Sequence, residues 1–302
     1  MLSVVLPTRD RPEQLARAAA SVLGSLRPGD ELIVVGSAST EPVSVDGARV
    51  IEVALPGASR ARNAGWRAAA NELIAFVDDD VWVAADWAEA IIDAFRDPSV
   101  AFVTGRVEMP PGVEHVRPVA LLRKPDSRTL DLETRTGDLG HSANLAVRRR
   151  VLDEVGGFDE LLGAGGRFRA AEDLDLMDRI LLMGMTGRYE PRALAWHEQW
   201  RSKPELVRLD WAYGIGMGVR ITKLARTDRR RARRELFDAM WSFGLRTVPH
   251  DAIRLYRFLT LTALARVAGT LAGIARGVTV RVEGGHLAPR SARRRRGTGA
   301  PG

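Results

Sequence analysis

Three consecutive carboxylates, Asp78-Asp79-Asp80, follow the apolar run Leu73–Val77. Unpaired carboxylates this close repel one another, so folding alone does not favour them. A hard divalent cation relieves the repulsion. Mg²⁺ and Mn²⁺ prefer oxygen ligands and often share them with a substrate diphosphate. The triplet therefore points to nucleotide chemistry, against the plainer alternative of a solvated acidic turn.

The elements around the triplet set where it stands. Ser3–Leu6, Glu31–Val35, Arg49–Val53, Leu73–Val77 and Val100–Val103 read as strands. Pro12–Leu26, Ala61–Ala70 and Trp87–Phe95 read as helices between them, with Pro12 suited to a first helical turn. This alternation predicts an α/β fold with a mostly parallel sheet covered by helices. In such sheets ligands gather at the carboxyl ends of strands. Pro7-Thr8, Gly36–Ser39 and Asp78–Asp80 all fall on that edge. Gly105–Thr136 reads as extended or loop structure. Leu145–Val155 reads as a short strand and helix, and Glu172–Met183 as a helix with Leu176, Ile180 and Met183 inward.

The chain has 302 residues, 45% apolar and 27% charged, which is globular rather than disordered. It has no cysteine, so disulfides and thiolate metal sites are excluded. Residues 1–10 start with a strand-like run and lack a signal-peptide pattern, which predicts a cytoplasmic protein. The net charge of +7 divides unevenly: residues 1–200 hold 23 basic and 31 acidic side chains, residues 201–302 hold 22 and 7. Anionic partners, membrane phospholipid or nucleic acid, suit the basic third.

Taken in order, several stretches together resemble the inverting family 2 glycosyltransferases, which have the GT-A fold. They are Val4–Arg11, Gly57–Gly65, Asp78–Asp80, Asn144–Arg149, Gly156–Glu160, Glu172–Leu176 and His197. The resemblance covers about residues 2–200 and implies a nucleotide-sugar donor, an acceptor hydroxyl and a divalent cation, Mg²⁺ or Mn²⁺. It assigns Asp79 to the nucleotide and Asp80 to the metal, with a weaker claim for Asp78. His197 would complete the metal shell. Thr8, Arg9, Asp10, Arg60, Arg62, Asn63 and Asn144 would contact the donor, and His141 and Ser142 the sugar or acceptor. Asp159 or Glu160 would face the acceptor. Asp173 would be the general base that takes the hydroxyl proton, with Glu172 as the competing candidate. The chain departs from the pattern at Gly36-Ser37, where an acidic residue usually reads the base; Asp10 is the candidate substitute.

The last third reads as helices over Glu205–Leu224, Arg233–Leu245 and Asp251–Val278. The division expected is a catalytic domain over 1–204, a helical region over 205–283, and a disordered Arg-rich tail over 284–302. Phe258–Ala275 is nearly long enough to span a bilayer, but Arg266 sits at its centre. Packing on the domain or lying at the membrane interface is favoured. Gly269 and Gly273 suit a close helix approach. The arginines at 226, 229, 230, 231, 233 and 234 would hold the enzyme peripherally at an anionic inner leaflet, near a lipid-linked acceptor. Rival readings are a nucleotidyltransferase on a similar sheet and a nucleic-acid-binding protein using the basic third. The first lacks a Gly-rich, Lys-bearing loop after strand one, and the second lacks any recognisable binding motif.

Overall fold

β-Branched and leucine side chains dominate the four segments that form one half of the sheet: β1 (Leu2–Thr8), β2 (Glu31–Ser37), β3 (Arg49–Val53) and β4 (Leu73–Phe76). In the computed structural model, which describes residues 1–114, 118–241 and 257–288, they run parallel in the order β3-β2-β1-β4. β1, β2 and β4 are apolar at successive positions because both faces are covered, whereas the edge strand β3 keeps Arg49 and Glu52 exposed. Helices α1 (Pro12–Ser25) and α3 (Trp87–Ala94) pack on Leu6 and Val34. Helices α2 (Ala58–Ala68), α5 (Arg149–Val155) and α6 (Glu172–Leu182) pack on Val5, Ile33 and Phe76, and α4 (Thr136–Leu139) is a single turn before α5.

The other half of the sheet is mixed. β8 (Leu145–Arg148) runs against both β4 and β6 (Val100–Glu108). β9 (Thr186–His197) lies parallel to β6 and carries two three-residue strands, β5 (Val81–Val83) and β7 (Arg128–Leu130), both antiparallel to it. Neither short strand is legible in the sequence, since three residues show no alternation. The stretch expected as a loop from Gly105 is strand as far as Glu108. The β5–β9 register sets Val81 opposite His197, and the Glu198 N–H donates to the Asp80 carbonyl at 2.9 Å. That pairing carries His197 to the triplet.

The basic third forms α7 (Lys203–Leu224), α8 (Arg229–Met240) and α9 (Arg257–Val278), then a hairpin of β10 (Arg281–Glu283) and β11 (His286–Ala288). Helix α8 begins four residues before the expected Arg233, because the Asp228 carboxylate accepts from the Arg231 N–H at 2.9 Å and caps it. Residues 284–288, expected in the tail, instead supply the hairpin's turn and second strand. The rest of that stretch, and residues 242–256 of the two expected helices, lie outside the described residues.

Helices α7 and α9 meet through glycine. A Cβ on Gly218 would come within 2.2 Å of the Thr270 carbonyl oxygen, and one on Gly273 within 2.3 Å of that of Ile215. Only the bare backbone permits this spacing. Gly218→Ala therefore forces the helices apart despite alanine's better helix propensity of about 1 kcal/mol. A net loss of roughly 1–3 kcal/mol in denaturant unfolding is expected.

Candidate functional site

The ends of β1 and β4 bring Thr8 and the triplet together. The Thr8 hydroxyl donates to Asp79 Oδ2 at 2.8 Å, and Arg11 Nη1 donates to Asp79 Oδ1 at 2.9 Å. Asp79 is buried, which pushes its carboxyl up to about 6 against the pull of Arg11. Asp80 has a different setting. The Trp200 indole N–H donates to its Oδ2 at 2.9 Å, and Arg11 and Arg201 stand 3.7 Å from the same oxygen. Both guanidiniums lie over the Trp200 ring, 4.6 and 4.4 Å from its centroid. Burial opposes ionisation of Asp80, but the facing His197 ring, the Trp200 N–H, Arg201 and Arg11 outweigh it and hold the group below the usual carboxylate range.

His197 Nε2 stands 3.5 Å from Asp80 Oδ1. Gln199 fixes which ring nitrogen carries hydrogen. Its Oε1 accepts from the Val119 N–H at 2.9 Å, so its amide is oriented with Nε2 donating, and that nitrogen lies 2.8 Å from His197 Nδ1. Burial keeps the ring neutral, so Nδ1 accepts and Nε2 bears the hydrogen, facing Asp80. His197 can ligate through Nε2 only once that proton moves. Among the described residues no three His, Asp or Glu side chains converge as an all-protein metal cage. Asp80 offers the oxygen donor that Mg²⁺ and Mn²⁺ prefer, but it is buried among Trp200, Arg11, Arg201 and His197, so it would supply one ligand, with the remainder from water and a substrate diphosphate.

Arg62 joins the triplet to the acidic helix start. Nη2 donates to Asp78 Oδ1 at 2.6 Å, and Nη1 donates to Glu172 Oε1 at 3.0 Å. The guanidinium is buried between them. Beside Glu172, Asp173 is half-buried, with Oδ2 accepting from the Ser142 N–H at 3.1 Å and Oδ1 from the Leu174 N–H at 2.7 Å. Asp78, Glu172 and Asp173 thus stand together around Arg62. Burial and the neighbouring Asp173 raise Glu172 to about 7 from an ordinary 4.5, with Arg62 opposing. Its stability contribution is complete below the unfolded value and is lost as pH rises through the folded one. Wild type should therefore lose about 3 kcal/mol relative to Glu172→Gln between pH 4.5 and 7, as read from paired denaturant titrations.

Some expected contacts face elsewhere. The Asn144 amide donates to the carbonyls of Arg106 and Ala193, and its oxygen accepts from the Trp87 indole, so both its donors are occupied inside the core. Asn63 is likewise satisfied by Phe158, Glu160 and Trp66. Each asparagine ties loops under the site rather than presenting an amide to a donor. Arg60 turns to Glu160 and the Pro56 carbonyl. Asp159, expected to face an acceptor, is buried and pairs with Lys223 of α7 at 2.9 Å. Arg9 is exposed beside Asp10. Asp10 has φ 54° and accepts from the Thr40 N–H at 2.7 Å, closing the loop after β2 over a cleft of about 740 Å³ that Thr8 and Arg11 also line.

Several site residues are missing from the expected set. Arg11 follows Thr8 by three positions, and Trp200 and Arg201 follow His197 by three and four, so nearness in sequence was the available signal. Tyr213 and Arg266 had none, because they arrive on α7 and α9. Arg266 Nε lies 3.0 Å from Asp210 and its guanidinium 4.7 Å from the Tyr213 ring centroid. Burial lifts the Tyr213 phenol to about 12; Arg201 and Arg266 lower it, and Asp173 and Glu172 add to the rise. His141, kept neutral by burial, feels Asp173, His197, Asp78 and Arg266. The helical third therefore reaches the surroundings of Glu172 and Asp173.

Comparison with known proteins agrees with this geometry. The chain is 36% identical over 213 residues to a pre-mycofactocin glycosyltransferase of Mycobacterium tuberculosis, covering 65% of this chain but only 42% of that protein. It is 21% identical over 188 residues to an uncharacterized glycosyltransferase of Haemophilus influenzae, covering 60% of this chain and 62% of that one. Among solved structures, the mannosyltransferase PcManGT from Pyrobaculum calidifontis, in complex with GDP-Man and Mn²⁺, superposes with a TM-score of 0.62 at 18% identity, over 90% of this chain and 86% of that one. S. aureus TarS 1–349 superposes with a TM-score of 0.58 at 14% identity, over 91% and 90%. These likenesses show the GT-A fold. Residues 3–156, half of the chain, match the sequence profile described as "Glycosyl transferase family 2", and the chain belongs to that family.

Proposed function

We propose that the chain transfers a sugar from a nucleotide-sugar donor to an acceptor hydroxyl with inversion at the anomeric carbon. The observation that carries this reading is the Arg62 bridge, which sets Asp78 and Glu172 on one guanidinium and so supports a shared site for the triplet and the Glu172-Asp173 pair. In this reading the donor lies along the sheet edge by Thr8 and Asp79. Asp80 would hold a divalent cation, which would supply positive charge to the leaving group. Arg11 and Arg201 add positive charge to the same side. Asp173, aimed by two backbone N–H groups, takes the hydroxyl proton as the oxygen attacks. The Mn²⁺ and GDP-Man named in the PcManGT complex support a cation and a hexose donor.

Retention or inversion is read from the anomeric coupling of the product by NMR, with pre-mycofactocin among the first acceptors tried. A retained configuration rejects the reading. A thermal-shift screen of nucleoside diphosphates with and without Mn²⁺ tests the cation. A ligand at a hundred times its Kd stabilises by about 2.7 kcal/mol, roughly 5 °C for a chain of this size. Asp80→Ala should abolish the Mn²⁺-dependent part of that shift; a shift indifferent to metal and to the substitution would remove Asp80 from cation binding.

A further inference from the structure

Helix α9 packs on the protein through one side. Thr262, Gly269, Thr270, Gly273 and Gly277 are buried, and the glycines meet α7. Leu261, Leu264 and Leu271 on the other side are about half exposed and Val278 is 67% exposed, with Ala268 and Ala275 between them. Intervals of three and four keep these residues in one stripe of about 25 Å. The helix is long and apolar enough to cross a membrane, yet only 28% of its apolar window is buried. It contains no acidic residue, and its exposed charges, Arg257 and Arg276, stand at its two ends.

Helix α8 and its C-terminal neighbour have a related outward line. Arg229, Arg233, Phe237 and Trp241 follow one another at intervals of four, all exposed. Phe237 and Trp241 stack with centroids 6.0 Å apart. Every exposed charged residue on α8 and α9 is an arginine, since Glu235 is buried against Arg220 and Asp238 is half-buried. Arg226 donates to the carbonyls of Gly277 and Val280, so the start of α8 adjoins the end of α9. The structure also redistributes the arginine run. Arg226, Arg231 and Arg234 are engaged with Gly277, Asp178 and Glu133, which leaves Arg229, Arg230 and Arg233 exposed.

We propose that the outward faces of α8 and α9 dock on an anionic phospholipid surface, with α9 lying in the headgroup plane. Leu261, Leu264, Leu271 and Val278 enter the acyl boundary, Phe237 and Trp241 sit at headgroup level, and the exposed arginines meet lipid phosphates. An apolar stripe flanked by cations alone is complementary to that surface. Single-stranded nucleic acid would use the cations and aromatic rings but leave the leucine stripe in water. A membrane span fits less well, because mid-helix Arg266 is tied to Asp210 of α7. The inference does not depend on the catalytic reading.

The test is flotation of the full chain with vesicles of phosphatidylcholine alone and of phosphatidylcholine mixed with phosphatidylglycerol. The chain is expected to rise with the anionic vesicles only and to leave them as salt increases. Arg229→Ala with Arg233→Ala should lower the partition coefficient roughly thirtyfold, the effect of two cations at an anionic leaflet. Leu264→Glu with Leu271→Glu should abolish flotation while circular dichroism stays unchanged. Should that pair not fold, brominated lipid provides a second measurement: it should quench wild-type tryptophan fluorescence, and Trp241→Phe should lose part of the quenching. Wild type that ignores all vesicles overturns the proposal, as does flotation that both double variants retain. A dimer in light scattering that the leucine variant dissolves, with no vesicle binding, would instead assign the face to a second copy.

Discussion

Asp173→Asn is expected to lower turnover by about 10³-fold, within the range that a positioned base contributes, while leaving nucleoside-diphosphate binding unchanged. The substitution is nearly isosteric. Its remaining oxygen can still accept one of the two N–H groups, from Ser142 or Leu174, that orient the carboxylate. What it loses is the capacity to take a proton. Glu172→Gln is the control. Burial raises Glu172 to about 7, but its carboxylate is enclosed and engaged with Arg62. Single-turnover rates and isothermal titration on both variants separate the roles. Near wild-type transfer by Asp173→Asn, with a dead Glu172→Gln, would exchange the assignments.

Arg220→Met should cost about 3–5 kcal/mol in denaturant unfolding, the largest stability effect expected of a single side chain here. Arg220 is 1% exposed and donates to Asp178 at 2.6 Å, to Glu235 at 3.2 Å and to Thr136 at 3.2 Å. It therefore fastens α7 to α6, α8 and the turn before β8. Removing it leaves two buried carboxylates short of their shared cation. Adding Glu235→Gln should recover part of the loss, because that penalty lies in the stranded charge rather than in a missing attraction, whereas Asp178 keeps Arg231 at 3.1 Å. If the double variant is no more stable than the single one, the energy lies in packing of the arginine stem. Since α6 begins with Glu172 and Asp173, the single variant should also slow transfer at temperatures well below its Tm.

Much of the fold was legible because its signals are local. Three of the four parallel strands are near-continuous apolar runs, Pro12 marks a helix start, and the first three helices fall between strands. The short β5 and β7 were not legible, because both are defined by pairing with β9 and not by their own composition. The site divides along the same line. Thr8, Asp78–Asp80, Glu172 and Asp173 could be picked out by residue type and order. Asn63 and Asn144 share the type expected of ligand contacts, yet their amides are satisfied internally, and sequence does not distinguish an asparagine facing a cleft from one facing a carbonyl.

By itself the sequence determined the α/β alternation, the carboxylates at a strand end, the second acidic group at a helix start and the basic bias of the last third. Each follows from residue type and spacing along the chain. Only the tertiary structure decided that Arg62 spans the two acidic groups, that Gln199 sets the His197 tautomer, and that Tyr213 and Arg266 reach the surroundings of Glu172 and Asp173 from helices far along the chain. It also decided which arginines are engaged within the protein and which face outward. The physical reason is range. Backbone preference and hydrophobic periodicity act over a few residues, whereas ion pairing and side-chain hydrogen bonding depend on distances that exist only once distant segments have packed.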